Sequence, residues 1–164
     1  MSNLHQLVYA SEASISSGGK GVDLEVGRIL TKSKNNNSKV SIGGVLYYAD
    51  GYFFQVLEGD KAAIHLLYDK ICKDERHAHA KILLERSIDS PQFSDWTMHF
   101  VPAGSSIRQL LKDYGLKHFT PFIFSEALTV TLVEVLSLNG KYTPQGKTKS
   151  SPKGLFSSIK GLFK

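Results

Sequence analysis

Apolar residues crowd into a short run from Leu4 to Ser11, which the Ser- and Gly-rich stretch from Ser14 to Gly21 interrupts, so a first strand carrying Tyr9 is predicted there. Val22, Val26, Ile29 and Leu30 then recur at helical spacing, until Asn35-Asn36-Asn37-Ser38 ends the segment. Two runs rich in β-branched and aromatic residues, Gly43 to Ala49 and Tyr52 to Gly59, flank Asp50-Gly51. This is a hairpin signature, because both central residues of a type I′ turn need positive φ. The clearest helix spans Asp60 to Asp74, with Ile64, Leu67, Tyr68 and Ile71 on one face. Further strands are predicted near Ala80 to Ile88 and Trp96 to Val101.

The resulting order, β-α-β-β-α-β-β, predicts an α+β sandwich of the ferredoxin-like kind. Two more helices follow, one near Ser105 to Tyr114 and one from Thr120-Pro121 to about Leu138. The second is apolar on most sides, so it either caps the open face of the sheet or joins a partner subunit, and capping is the favoured reading. Beyond Asn139 the chain turns Gly-, Lys-, Ser- and Pro-rich, and it closes on Lys153 to Lys164, where Leu155, Phe156, Ile159, Leu162 and Phe163 share a helical face. Three regions are therefore expected: an α+β domain over 1–103, a helical pair over 104–139 and a flexible basic tail over 140–164.

One position breaks the pattern of the hairpin. A two-residue loop sets Leu46 opposite Gln55, Tyr48 opposite Phe53 and Gly44 opposite Leu57, which puts the Gln55 amide on a face of large apolar side chains. A buried amide without partners costs about 1–3 kcal/mol, so something polar must meet it from outside the strand.

Composition narrows the function classes. At 41% hydrophobic and 21% charged, 164 residues make one ordinary globular domain with an appendage. A single cysteine, Cys72, excludes a disulfide framework and favours a reducing compartment. The N-terminal residues do not read as a signal peptide and no run of 18 apolar residues occurs, so a cytoplasmic protein is expected. The net charge of +5 belongs to the tail: six lysines and no acid follow Gly140, leaving 14 basic and 15 acidic residues before it. Specific nucleic-acid binding is not expected, while the tail suits weak contact with a polyanion or an anionic membrane surface. The six histidines show no metal-ligand spacing along the chain, and His77-Ala-His79, read as a helix end, would diverge. No metal site, phosphate loop or nucleophile–base pair is predicted, so the chain does not read as an enzyme.

A set of fragments, Leu7-Val8-Tyr9-Ala10-Ser11, Asn36-Asn37, Ile42 to Tyr48, Phe53 to Gly59, Asp74-Glu75-Arg76-His77 and Trp96-Thr97-Met98, resembles in order and spacing the BLUF family of blue-light sensors, over residues 4 to about 101. The resemblance implies a non-covalently bound flavin, FAD or else FMN or riboflavin, between two helices on a ferredoxin-like sheet. It makes Tyr9 and Gln55 the photoactive pair and assigns cofactor binding to Ile29, Asn36, Asn37, Phe53, Lys70, Ile71, Asp74 and His77. Trp96 and Met98 would relay the signal. Lys70 departs from the arginine common in relatives and loses a planar bidentate donor. With only helices and a tail after the sensor, the resemblance is to short BLUF proteins that act on a separate protein partner, such as a transcriptional regulator, or through a second copy of the chain. A light-insensitive interaction module on the same fold is the alternative.

Overall fold

A computed structural model describes residues 4–14, 42–93, 99–101 and 105–141. Five strands form one sheet: β1 (Leu4–Ala13), β2 (Gly43–Ala49), β3 (Tyr52–Asp60), β4 (His77–Ser87) and β5 (His99–Val101), in the order β4-β1-β3-β2-β5. The first four pair antiparallel, as the ferredoxin-like reading requires, and β5 adds in parallel beside β2. The expected helix between β1 and β2 falls outside the described residues.

The hairpin forms in the predicted register, with Leu46, Tyr48 and Gly44 opposite Gln55, Phe53 and Leu57. Asp50 and Gly51 take φ of 51° and 84°, the left-handed pair that matches the twist of the strands. At Gly44, φ is 151° and a Cβ would overlap the Val56 carbonyl oxygen, so only glycine lets β2 lie this close to β3.

Helix α1 (Lys61–Cys72) leaves β3 directly, and Asp60 caps it by accepting from the Ala63 amide at 3.1 Å. Helix α2 (Ser105–Asp113) ends where Gly115, at φ 75°, lets the Leu116 amide reach back to the Leu111 carbonyl at 2.8 Å. The next helix begins later than the sequence pattern suggests. Pro121–Ile123 make a single 3₁₀ turn, and α3 (Glu126–Lys141) starts only where Ser125 Oγ accepts from the Leu128 amide at 3.1 Å. The buried Thr129 and Thr131 donate their hydroxyls to backbone carbonyls four residues earlier, so the apolar helix hides no stranded hydroxyl there.

Strand β4 corrects a second expectation. His77 and His79 stand at the start of this strand, paired against β1, and not at a helix end. A register shift between Ala10 and Glu12, with His79 at φ 54°, lets His77 bury its ring while His79 stays exposed.

The sheet separates two cores. Leu7, Tyr9, Leu46, Phe53 and Leu57 face α1 and its Ile64, with Leu67, Tyr68 and Ile71 half-buried over them. Val8, Val45, Tyr47, Phe54 and Val56 face the other way, against Ile107, Leu110 and Leu111 of α2 and Leu128, Leu132, Val133 and Leu136 of α3. The apolar helix therefore caps the open face of the sheet. Among the described residues no helix is long and apolar enough to cross a membrane.

Candidate functional site

Tyr9 and Gln55 are direct cross-strand partners on β1 and β3, and both are buried on the face covered by α1. The Tyr9 hydroxyl donates to Gln55 Oε1, so the apolar wall contains a polar pair joined to itself. Burial, reinforced by the nearby Tyr68, Cys72 and Asp74, pushes the Tyr9 phenol well above its ordinary value. In the resting protein Tyr9 is consequently a hydroxyl donor at neutral pH. With the carbonyl end of Gln55 turned to Tyr9, the NH2 end of the same planar amide points away from it.

Aromatic rings frame this pair. Tyr68 of α1 meets Tyr9 edge-on at 5.3 Å between centroids, and Tyr48 lies 5.2 Å from Phe53. His77 is 4.8 Å from Phe53 and 6.3 Å from Tyr9, and its Nδ1 lies 2.7 Å from the Ser11 hydroxyl. Burial lowers the His77 pKa to about 4, outweighing the opposite pull of Asp74, so the ring is neutral at physiological pH. Asp74 accepts from Arg76 Nε at 2.9 Å and Nη2 at 2.5 Å, and from the Arg76 amide at 3.0 Å; these bonds hold its carboxyl down at about 2. Ile71 is half-buried over the same face, whereas Lys70 is exposed on α1.

Tyr9, Gln55, Phe53, Ile71, Asp74 and His77 are thus gathered around one end of the α1 face. Ile29, Asn36, Asn37, Trp96 and Met98 lie outside the described residues. Ser11 and Tyr68 also belong to the wall. Alternation signals Ser11, two residues beyond Tyr9 on the same strand face, and Tyr68 already lies on the apolar stripe of α1.

On the opposite face lies a polar cluster with no counterpart in the sequence reading. Glu58 is 2% exposed and accepts from Gln6 Nε2 at 2.8 Å, the Gln92 amide at 3.2 Å and the Phe93 amide at 3.1 Å. Gln6 in turn donates to Gln92 Oε1 at 2.9 Å and accepts from Arg86 Nε at 2.9 Å. This cluster ties β1, β3 and β4 to the segment that leads toward β5. At the hairpin tip Asp50 Oδ2 accepts from the Phe119 amide at 2.7 Å, and the Phe119 ring packs against Tyr47 at 4.9 Å. The strand pair that presents Gln55 on one side is therefore fastened to the α2–α3 connection on the other.

A flat heteroaromatic ring with carbonyls along one edge needs apolar walls for its faces and amide groups at its rim. The described residues supply both: Phe53, Leu46 and Leu57 with Ile71 above them, and the Gln55 amide at the centre. The donor set thus fits a flavin.

Comparison with known proteins gives the same picture. Residues 4–99 match the family model described as sensors of blue-light using FAD. The solved photo-activated state of BlsA matches with a TM-score of 0.77 at 31% identity, covering 88% of this chain and 99% of that one. The dark-state structure of BlrB, described as a BLUF protein, matches with a TM-score of 0.68 at 23% identity and bears on the fold alone. The photoactivated adenylate cyclase subunit beta of Euglena longa is 30% identical over 139 residues, 78% of this chain but 16% of that protein. The chain therefore spans only a small part of the curated relatives it matches.

Proposed function

The chain belongs to the BLUF family of flavin-binding blue-light sensors, and from that premise we propose that Tyr9 and Gln55 are its light switch and that the switch alters binding to a separate protein partner. The observation that carries this reading is the buried bond from the Tyr9 hydroxyl to Gln55 Oε1 in a wall that fits a flavin.

A bound flavin supplies visible absorption and, once excited, a strong one-electron acceptor. Among side chains a phenol is one of the few able to respond. Tyr9 cannot release its proton alone, because burial holds its pKa high, so the proton leaves only together with an electron. Gln55 Oε1 is the atom placed to receive it. A protonated or rotated Gln55 amide then offers a different pattern of donors to Tyr9 on one side and to the flavin edge on the other, with no displacement of the backbone. No covalent bond between the flavin and the protein is formed.

Output follows from the way β2 and β3 are fastened. A change at Gln55 acts on strands held to the helical pair by Asp50 and Phe119, and on a sheet whose far face holds the Gln92 and Phe93 amides through Glu58. In this reading residues 1–103 sense, the pair over 104–139 presents the response to a partner, and FAD is the resident flavin of a cytoplasmic protein that signals by association and not by its own catalysis.

The test is a visible absorption spectrum of the purified protein in darkness and just after blue light. A structured flavin band that moves to the red and returns in darkness is expected, with the movement lost and the flavin retained in Gln55→Leu. A bound flavin indifferent to light overturns the switch. Equal capture of the same partners from dark and lit samples overturns the output.

A further inference from the structure

A second cluster of functional groups stands on the α1 face of the sheet, away from the photoactive pair. His5 of β1, His65 of α1 and Glu85 of β4 bring one imidazole nitrogen each and a carboxylate oxygen within 4.8 Å of one another. The Nε2–H groups of His5 and His65 both donate to the same atom, Glu85 Oε1, at 3.0 Å and 2.5 Å. We propose that His5, His65 and Glu85 form a binding site for a borderline divalent transition ion of the zinc class.

Two imidazoles and a carboxylate are a ligand set that such ions prefer over Ca²⁺ or Mg²⁺, which take oxygen donors. In a tetrahedral zinc site, metal–ligand bonds of about 2.0–2.2 Å place neighbouring ligand atoms about 3.3 Å apart. The two histidine–carboxylate separations, 3.0 and 2.5 Å, are shorter than that, and all three ligand atoms lie within 4.8 Å of one another, so side-chain rotations that part them slightly open the centre. The scaffold does most of the ordering in advance. His5 is 8% exposed on a central strand, and Leu7, its neighbour on the same face of β1, pairs with Glu85 itself. Only His65 approaches from a helix, and its side chain, 39% exposed, leaves a direction open for water. On binding, each ring shifts its proton from Nε2 to Nδ1, and the metal takes the place of the two N–H donors to the carboxylate.

Position gives the site a mechanical meaning. Residues 5 and 9 are about 13 Å apart along β1, and His65 precedes Tyr68 by three residues on α1. An ion here pins the first half of α1 to β1 and β4, and leaves the second half, with Tyr68 and Ile71, against the Tyr9 wall.

The deciding experiment is equilibrium dialysis of the full, flavin-loaded chain against Zn²⁺, with bound metal counted per chain. One ion is expected, bound at least tenfold more weakly in both His65→Ala and Glu85→Gln, and unchanged in His79→Ala. That last variant removes the exposed His79–Glu12 pair, the other close histidine–carboxylate contact among the described residues. His65 is partly exposed on the helix, so its loss does not threaten folding as loss of the buried His5 does. X-ray absorption at the zinc edge should show two imidazoles and oxygen ligands. Undiminished binding in His65→Ala, no binding by the unaltered chain, or a sulfur ligand from Cys72 overturns the site.

Discussion

Around Tyr9, under the second half of α1, the buried polar groups are the Tyr9 hydroxyl, the Gln55 amide, the Ser11 hydroxyl and a His77 ring that burial keeps neutral at physiological pH. Under α2 and α3, the same strands bury the Glu58 carboxylate, held by three N–H donors from two elements and backed by Gln6 and Arg86. Neutral donors and acceptors in an apolar wall can exchange partners, because each pairing is worth only about 1 kcal/mol more than its alternative. A carboxylate coordinated by fixed backbone amides has no comparable second arrangement. One face holds groups that can exchange hydrogen bonds and the other a group that cannot, and a sheet one residue thick lies between.

That contrast predicts where stability resides. Glu58→Ala strands one N–H of the Gln6 amide and two backbone N–H groups in the core, and should lower the unfolding free energy by about 3–4 kcal/mol in urea titration. A loss under about 1 kcal/mol would mean that the cluster is no anchor and would dissolve the distinction between the faces.

The α1 face should instead reveal itself through pH. Burial lowers the folded-state pKa of His77 from 6.5 to about 4, so the unfolded chain takes up the proton first as the solution is acidified. Stability is full above about 6.5 and declines toward about 4, by roughly 3 kcal/mol at most for such a difference. Asp74, held at about 2 against an ordinary 3.8, adds its own loss only below that window. His77→Gln, which cannot be protonated, should flatten the upper decline and leave the lower one. A smaller effect is expected from Tyr9→Phe, which takes a donor from Gln55 Oε1 and should cost about 1–2 kcal/mol while flavin stays bound and the light response disappears.

How much of this was legible from residues alone differs between the faces for physical reasons. The hairpin register followed from the two-residue Asp50-Gly51 loop, and with it the place of Gln55 among apolar neighbours, since strand alternation is local. Glu58 obeys the same alternation, two residues beyond Val56, but what makes its burial tolerable comes from Gln6, Gln92 and Phe93, which no local pattern connects. The sequence reading sets His77-Ala-His79 at a helix end; pairing with β1, a tertiary effect, makes His77 the first residue of a strand. His5, His65 and Glu85 come from three separate elements, so spacing along the chain could not announce them. The pale signal for the start of α3 was chemical: Pro121 suits a first turn, but Ser125 holds the cap.

The finest test asks whether the two faces are independent in the dark. Gln55 and Glu58 lie three residues apart on β3, with side chains on opposite sides of the sheet, and the two networks described above share no side chain. Mutations at sites with no common partner add to within about 0.5 kcal/mol. The double variant Gln55→Leu with Glu58→Gln should therefore show the sum of the two single losses in dark unfolding measurements. If the pair couples by more than about 1 kcal/mol, the anchor already feels the switch at rest, and the faces form one network. Additivity in the dark with a lit-state response that Glu58→Gln weakens would locate the coupling where a switch needs it, in the change of state and not in the resting fold.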